Sequence, residues 1–343
     1  MLGVQKGASD VHLSPGYYPT LRIDGALIPL SDQKILSKSD LESFVAAILN
    51  KDRRAKFDAT KEMDFSYQVG NDLRFRVNVY QTRDNLAIVM RHISNEIRSI
   101  TDLHLPDQIK MFSKLSQGFV LAAGPTGHGK STTLAAIVEA INQERTEKII
   151  TIEDPIEYLF TPEKSIIDQR EVGGDTLTFA GALRSTFREN VNVIMVGELR
   201  DYDTISAAVT AAETGHLVFG SIHTNDAAQT IERIIDIFPP NQQRQIISQL
   251  ANSLSGVISQ RLIPGIRGGL VPAVEVMIAT TAVRNLIREA KIEQLNIVIE
   301  TGAQAGMISL NQSLAELVRN KLISLDQAKF YSPNVNVLQT LLR

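Results

Sequence analysis

Apolar and polar residues alternate over residues 73–80, where Leu73, Phe75, Val77 and Val79 interleave with Arg74, Arg76, Asn78 and Tyr80. Successive side chains of a strand point to opposite faces. The segment therefore predicts a strand with one apolar face and one face carrying two arginines. Thr20–Ile23 and Leu86–Ile93 read as further strands, Asp24-Gly25 as a turn between short apolar runs, and Leu41–Phe57 as a helix. From Ser94 to Gln117 the apolar pattern thins and Pro106 interrupts it. This predicts an α/β domain over 1–98 and a linker over 99–117.

From Gly118 short apolar runs alternate with helical periodicity. Phe119–Ala123 reads as a buried strand, followed by a Gly-rich turn and a helix with Leu134, Ile137, Val138 and Ile141 on one face. Ile149–Ile152, Val193–Val196 and Leu217–Ile222 are three more short apolar runs. Before the last of them, Ile205, Ala208, Val209 and Ala212 form a helical stripe, with Asp203 expected as its cap and Gly215 as its end. Strands alternating with helices imply a parallel sheet, which binds ligands beyond the carboxyl ends of its strands. From Asn241 onward the pattern reads as mostly helical, so one α/β domain is expected over 118–343.

Length and composition narrow the class. The 343 residues fit two domains, and 43% hydrophobic with 21% charged residues is ordinary globular usage. No apolar run reaches the roughly 18 residues of a membrane span, and no basic stretch followed by an apolar core opens the chain. A soluble, unsecreted chain is expected. The absence of cysteine excludes disulfides, thiolate zinc sites and thiol catalysis. Thirty-five basic against 38 acidic residues, a net charge of −3, argues against a nucleic-acid binder.

The chemistry gathers at the predicted strand ends. Gly124-Pro125-Thr126-Gly127-His128-Gly129-Lys130-Ser131, followed by Thr132, matches the P-loop pattern after a strand and before a helix. Its glycines let backbone N–H groups wrap phosphates, and the helix N-terminus adds its positive dipole end. Lys130 is expected at the β- and γ-phosphates and Ser131 at Mg²⁺. The other strands run into Glu153-Asp154-Pro155-Ile156-Glu157, Gly197-Glu198 and His223-Thr224-Asn225. A carboxylate at such an end is where a nucleotidase positions water or a cation. His223 could touch a γ-phosphate. His12, His92 and His104 read as structural, and His216 and His223, on opposite faces, cannot share a metal.

Four ordered segments resemble the secretion ATPase superfamily that drives type II secretion and type IV pili. They are Gly124–Ser131 (Walker A), Ile152–Glu157 (aspartate box), Val193–Glu198 (atypical Walker B), and Thr214-Gly-His-Leu217 through His223–Asn225 (histidine box). The likeness runs from Ala8–Leu13 nearly to the C-terminus. The motif Ala282-Val-Arg-Asn-Leu-Ile-Arg-Glu289 is similar to the Ala-Ile-Arg-Asn-Leu-Ile-Arg-Glu of the members that retract pili. Missing cysteines and short length argue against the extension and secretion members, which usually carry an extra N-terminal domain and a four-cysteine zinc insertion. Where the family has acid-Pro-Asp, this chain has Glu189-Asn-Val-Asn192, and its start lies late enough to omit a first helix.

The resemblance implies a PAS-like N-terminal domain and a RecA-like ATPase domain with a helical tail, in a homohexamer holding ATP and Mg²⁺ between subunits. It implies Glu198 as the catalytic carboxylate, Glu157 as a second essential acid that also serves the metal, and His223 as the γ-phosphate sensor. Arginines from a neighbouring subunit complete the site, here Arg76 and Arg91. Hydrolysis would turn one domain against the other. The expected partners are a platform protein of the inner membrane and, indirectly, pilin, with the chain cytoplasmic at that membrane's inner face. Neither nucleic acid nor zinc is expected. Val283, Leu286 and Ile287 should pack inward, and Arg284 and Arg288 should share a face that transmits movement without supporting the fold. A DNA-translocating ATPase and a nucleotide-binding switch without turnover stay open at this point.

Overall fold

The computed structural model describes residues 2–23, 25–70, 73–93 and 96–343, so Asp24 of the expected turn and Ser94 at the expected boundary lie outside the described residues. The chain divides into two compact units, residues 1–96 with 155–159, and residues 97–154 with 160–343. The second unit is thus interrupted by five residues that belong to the first.

The first unit opens with α1 (Leu2–Gln5), β1 (Asp10–Leu13), β2 (Thr20–Ile23) and β3 (Ala26–Pro29). α2 (Lys38–Ile48), α3 (Lys51–Thr60), β4 (Glu62–Val69), β5 (Leu73–Thr82) and β6 (Asn85–Ile93) follow. The strands form one antiparallel sheet in the order β3-β2-β1-β6-β5-β4. Phe75, Val77 and Val79 of β5 are buried against Leu41, Val45 and Phe57, as the period of two requires. The single helix expected over Leu41–Phe57 is two. Asn50 breaks it by turning extended (φ −70°, ψ 174°) and accepting the Arg53 N–H at 2.9 Å, a side-chain cap that starts α3.

The second unit begins inside the expected linker, where α4 (Lys110–Ser113) follows a short turn and Ile109 and Phe112 are fully buried. Then come β7 (Gly118–Ala123), α5 (Lys130–Glu144), β8 (Lys148–Glu153), β9 (Ile166–Glu171), α6 (Phe179–Thr186) and β10 (Val193–Val196). α7 (Tyr202–Glu213), β11 (Leu217–Ile222), α8 (Ala227–Asp236) and α9 (Pro240–Ser253) complete the alternation. The cap of α7 is Asp201, not Asp203: its carboxylate accepts the Thr204 N–H at 2.9 Å. The reading of 241–343 as mostly helical also needs correction. β12 (Leu254–Pro264) pairs in parallel with β7, and β13 (Leu270–Ile278) pairs antiparallel with β12. Both are buried on both faces, which removes the alternation that marks a strand. The sheet runs β13-β12-β7-β11-β10-β8-β9. The helical end is α10 (Thr281–Arg288), α11 (Leu295–Thr301), α12 (Leu310–Arg319), α13 (Leu325–Tyr331) and α14 (Val335–Leu342). No helix among the described residues is long and apolar enough to cross a membrane.

Two details explain departures from the family pattern. Asn190, which stands where the family has its acid, adopts φ +52°, a left-handed conformation that asparagine and aspartate both tolerate. Asn192 Oδ1 accepts the Lys148 N–H at 2.8 Å, a bond that an aspartate oxygen would make equally well. The amide therefore keeps β8 attached at its start.

In α10, Val283 and Ile287 are fully buried and Leu286 packs beside them. Arg284 does not stand on a face apart from the fold. Its guanidinium donates to the carbonyls of Ala279, Ala251 and Asn252 at 2.9, 2.7 and 2.6 Å, and so closes the end of α9. Arg288 is exposed and reaches only the side chains of Asn285 and Asn252. We therefore expect Arg284→Ala to destabilise the fold by about 2 kcal/mol, since it strips a charged donor from three carbonyls. Arg288→Ala should stay within about 0.5 kcal/mol. Thermal melts of the two single variants check this, and equal melting temperatures would contradict it.

Candidate active site

β7 ends at Ala123, and the chain turns through Gly124, Gly127 and Gly129 at φ +145°, +78° and +81° before α5 begins at Lys130. Such angles are open to glycine and strained for other residues. A Cβ added at Gly127 would meet nothing within 4 Å, so that part of the loop faces open space. Lys130, Ser131 and Thr132 supply the first amides of α5, at the positive end of its dipole. Phosphate oxygens suit them. The Lys130 ammonium is buried and donates to the carbonyls of Gly124 and Pro125, both at 2.9 Å, which holds it along the loop.

Adjacent strand ends deliver the remaining groups. β11 is the neighbour of both β7 and β10, so the residues just beyond these strands converge. His223, after β11, places Nδ1 3.3 Å from Lys130 Nζ and 3.3 Å from Thr126 Oγ1. Both are donors to it, which makes Nδ1 the acceptor. Nε2 then carries the proton and points it at Glu198 Oε1, 3.0 Å away. Burial and the Lys130 ammonium push His223 below its ordinary pKa, against the pull of Glu198, so the ring is neutral at pH 7. Glu198, after β10, also pairs with Arg200. The result is a chain from Lys130 through His223 to Glu198 and Arg200. Lys130, His223 and Glu198 thus lie within hydrogen-bond reach of one another in sequence along this chain.

Arg200 had no sequence signal, because a surface arginine two residues from an acid has no signature. Glu153, buried at the end of β8, accepts from Thr151 Oγ1 at 2.6 Å and Gln169 Nε2 at 3.3 Å. Within the loop, His128 Nδ1 accepts the Leu262 N–H at 2.9 Å. Beside the loop lies a cavity of about 720 Å³ lined by Gly129, Thr132, Thr133, Gln260, Leu262 and Arg98, a size suited to a nucleoside.

Arg76, Arg91 and Glu157 belong to the first unit. Glu157 is exposed on the segment 155–159. Arg76 and Arg91 face each other directly across β5 and β6. Arg76 lies 3.6 Å from Asp64, and Arg91 donates to Asp10 at 2.8 Å. Burial raises the Asp10 pKa, but the Ser9 hydroxyl and Arg91 together hold it below the ordinary carboxylate value. Among the described residues, no three His, Asp or Glu side chains form a metal site.

Residues 3–275 match the family described as Type II/IV secretion system protein. The chain is 44% identical to the type IV pilus retraction ATPase PilT of Pseudomonas aeruginosa, over 95% of this chain and 94% of that one. It is also 44% identical to a twitching motility protein of Neisseria gonorrhoeae, over 92% of this chain and 84% of that one. A crystal structure of the pilus retraction motor PilT with bound ADP superposes with a TM-score of 0.92 at 44% identity, covering 99% and 97% of the two chains.

Proposed function

The chain belongs to the Type II/IV secretion system protein family, and on that premise we propose that it is an ATP-hydrolysing motor that retracts type IV pili. The observation that carries the reading is the array of Lys130, His223 and Glu198 on adjacent strand ends above the P-loop. The loop amides and Lys130 hold the phosphates, and the nucleoside enters the cavity beside Thr132 and Thr133. Ser131 would hold Mg²⁺ with the phosphate oxygens, and the cation would offset the charge that develops on them. Glu198 takes the proton of the attacking water. His223, neutral and hydrogen-bonded to Glu198, fixes that carboxylate and links it to the lysine that contacts the γ-phosphate. By the family resemblance, Glu157 would be a second essential acid that would also serve the metal.

The subunits assemble as a homohexamer, and Arg76 and Arg91 complete the neighbour's site by neutralising transition-state charge. The motor works at the inner face of the cytoplasmic membrane on a platform protein and, through it, on pilin. Hyperpiliated, immobile cells after gene deletion support retraction, whereas bald cells mean extension. Arg76→Ala subunits should regain ATPase activity when mixed with Lys130→Ala subunits, because some interfaces then pair an intact loop with an intact arginine. Phosphate release from mixtures that stays at the level of the separate variants rejects the assignment in trans.

A further inference from the structure

Gln260 is a buried polar side chain, 4% exposed, whose position in β12 continues alongside the start of the P-loop, since the preceding Ser259 pairs with Ala123. Its backbone carbonyl lies 2.6 Å from where a Cβ on Gly124 would stand. Its side-chain amide lies 2.7 Å from where a Cβ on Gly129 would stand. One residue thus abuts both ends of the loop. Both ends of its amide are also hydrogen-bonded. Thr133 Oγ1, in the first turn of α5, is 2.7 Å from Oε1, and Nε2 is 2.9 Å from the carbonyl of His128. A carbonyl only accepts, so the end facing His128 must be the NH₂, and the Thr133 hydroxyl must be the donor at the other end.

This bond has a directional consequence. The His128 carbonyl and the Gly129 N–H share one planar trans peptide and point in opposite directions. Holding the carbonyl toward β12 therefore turns the Gly129 N–H away from β12. Gly129 has no side chain to restrict its backbone, so the peptide needs an outside partner to keep that orientation. Leu262, two residues further along β12, donates to the His128 ring and steadies the same turn.

We propose that Gln260 is a positioning residue that aims the Gly129 N–H at the diphosphate of the bound nucleotide, with Thr133 fixing its amide. The inference rests on the reading of the loop as a nucleotide site. The N–H meets oxygens present in ATP and ADP alike, so its loss weakens ground state and transition state together, raising KM while leaving kcat nearly unchanged. A residue that merely supported the fold would lower the melting temperature of the nucleotide-free protein without this split.

The test is titration of ADP and of adenosine, with steady-state ATPase kinetics, on wild type, Gln260→Met and Thr133→Val. Methionine keeps the volume and removes the donor. Expected are about tenfold or greater losses in ADP affinity and rises in KM for Gln260→Met and a smaller shift in the same direction for Thr133→Val, while the affinity for adenosine, which carries no diphosphate, stays within about threefold of wild type in both. If Gln260→Met does not fold, Thr133→Val carries the same comparison. Unchanged ADP affinity in a folded variant, or a fall in kcat at constant KM, overturns the proposal. Wild-type protein that fails to bind ADP would instead reject the nucleotide site itself.

Discussion

Lys130→Ala should reduce ATP turnover by at least about a thousandfold and leave the fold intact. The Lys130 ammonium is the cation of the P-loop and contacts two carbonyls of the loop and His223. Charge-assisted contacts to phosphate are about twice as strong as neutral ones, and in a dry site the loss of a full charge reaches about 4 kcal/mol or more. The alanine variant should fold because a water can replace the ammonium at the buried Gly124 carbonyl and the half-buried Pro125 carbonyl. Phosphate release and ADP titration measure the effect, with circular dichroism as the control for folding. Wild-type turnover in this variant would mean that the loop is not a phosphate site.

Glu198→Gln is the second large effect, and it separates binding from chemistry. The amide keeps the shape of the carboxylate, and its oxygen still accepts from His223 Nε2 and Arg200, so the array should hold. It has no usable basicity. Turnover should fall by about 10²–10⁴-fold while ATP affinity stays within about threefold. Equal turnover would move the role of base to Glu157. A variant of Glu157 would then have to lose hydrolysis without losing binding.

The sequence carried the parts of this molecule whose physics is local. A P-loop must place its glycines and lysine at fixed spacing, because phosphates need a backbone turn of one length, and so it could be read from Gly124–Ser131 alone. β5 could be read because one of its faces is buried and the other is not. β12 and β13 could not, because burial on both faces leaves an apolar run that resembles a buried helix. The break at Asn50 and the cap at Asp201 turn on which of several nearby polar residues folds back onto a backbone N–H, a choice that packing makes. Arg284 was misjudged because its three carbonyl partners lie 5 to 33 residues away in sequence. Gln260 and Arg200 had no signature, because each acquires its role from a partner that only the fold supplies.

The passage of residues 155–159 through the first unit has a consequence for anyone cutting this protein apart. The chain leaves the second unit at Asp154 and returns to it at Phe160. No single scission therefore yields two independent pieces. A fragment starting at residue 97 would carry Pro155–Leu159 without the residues they pack with, and Ile156, buried at 2% exposure, would be laid open to water. A fragment ending at residue 96 would lack part of its own interior. Dissection requires replacing 155–159 with a short polar bridge in one piece and grafting those five residues onto the other, and linear domain swaps between relatives at residue 96 will produce hybrids whose halves come from mismatched parents.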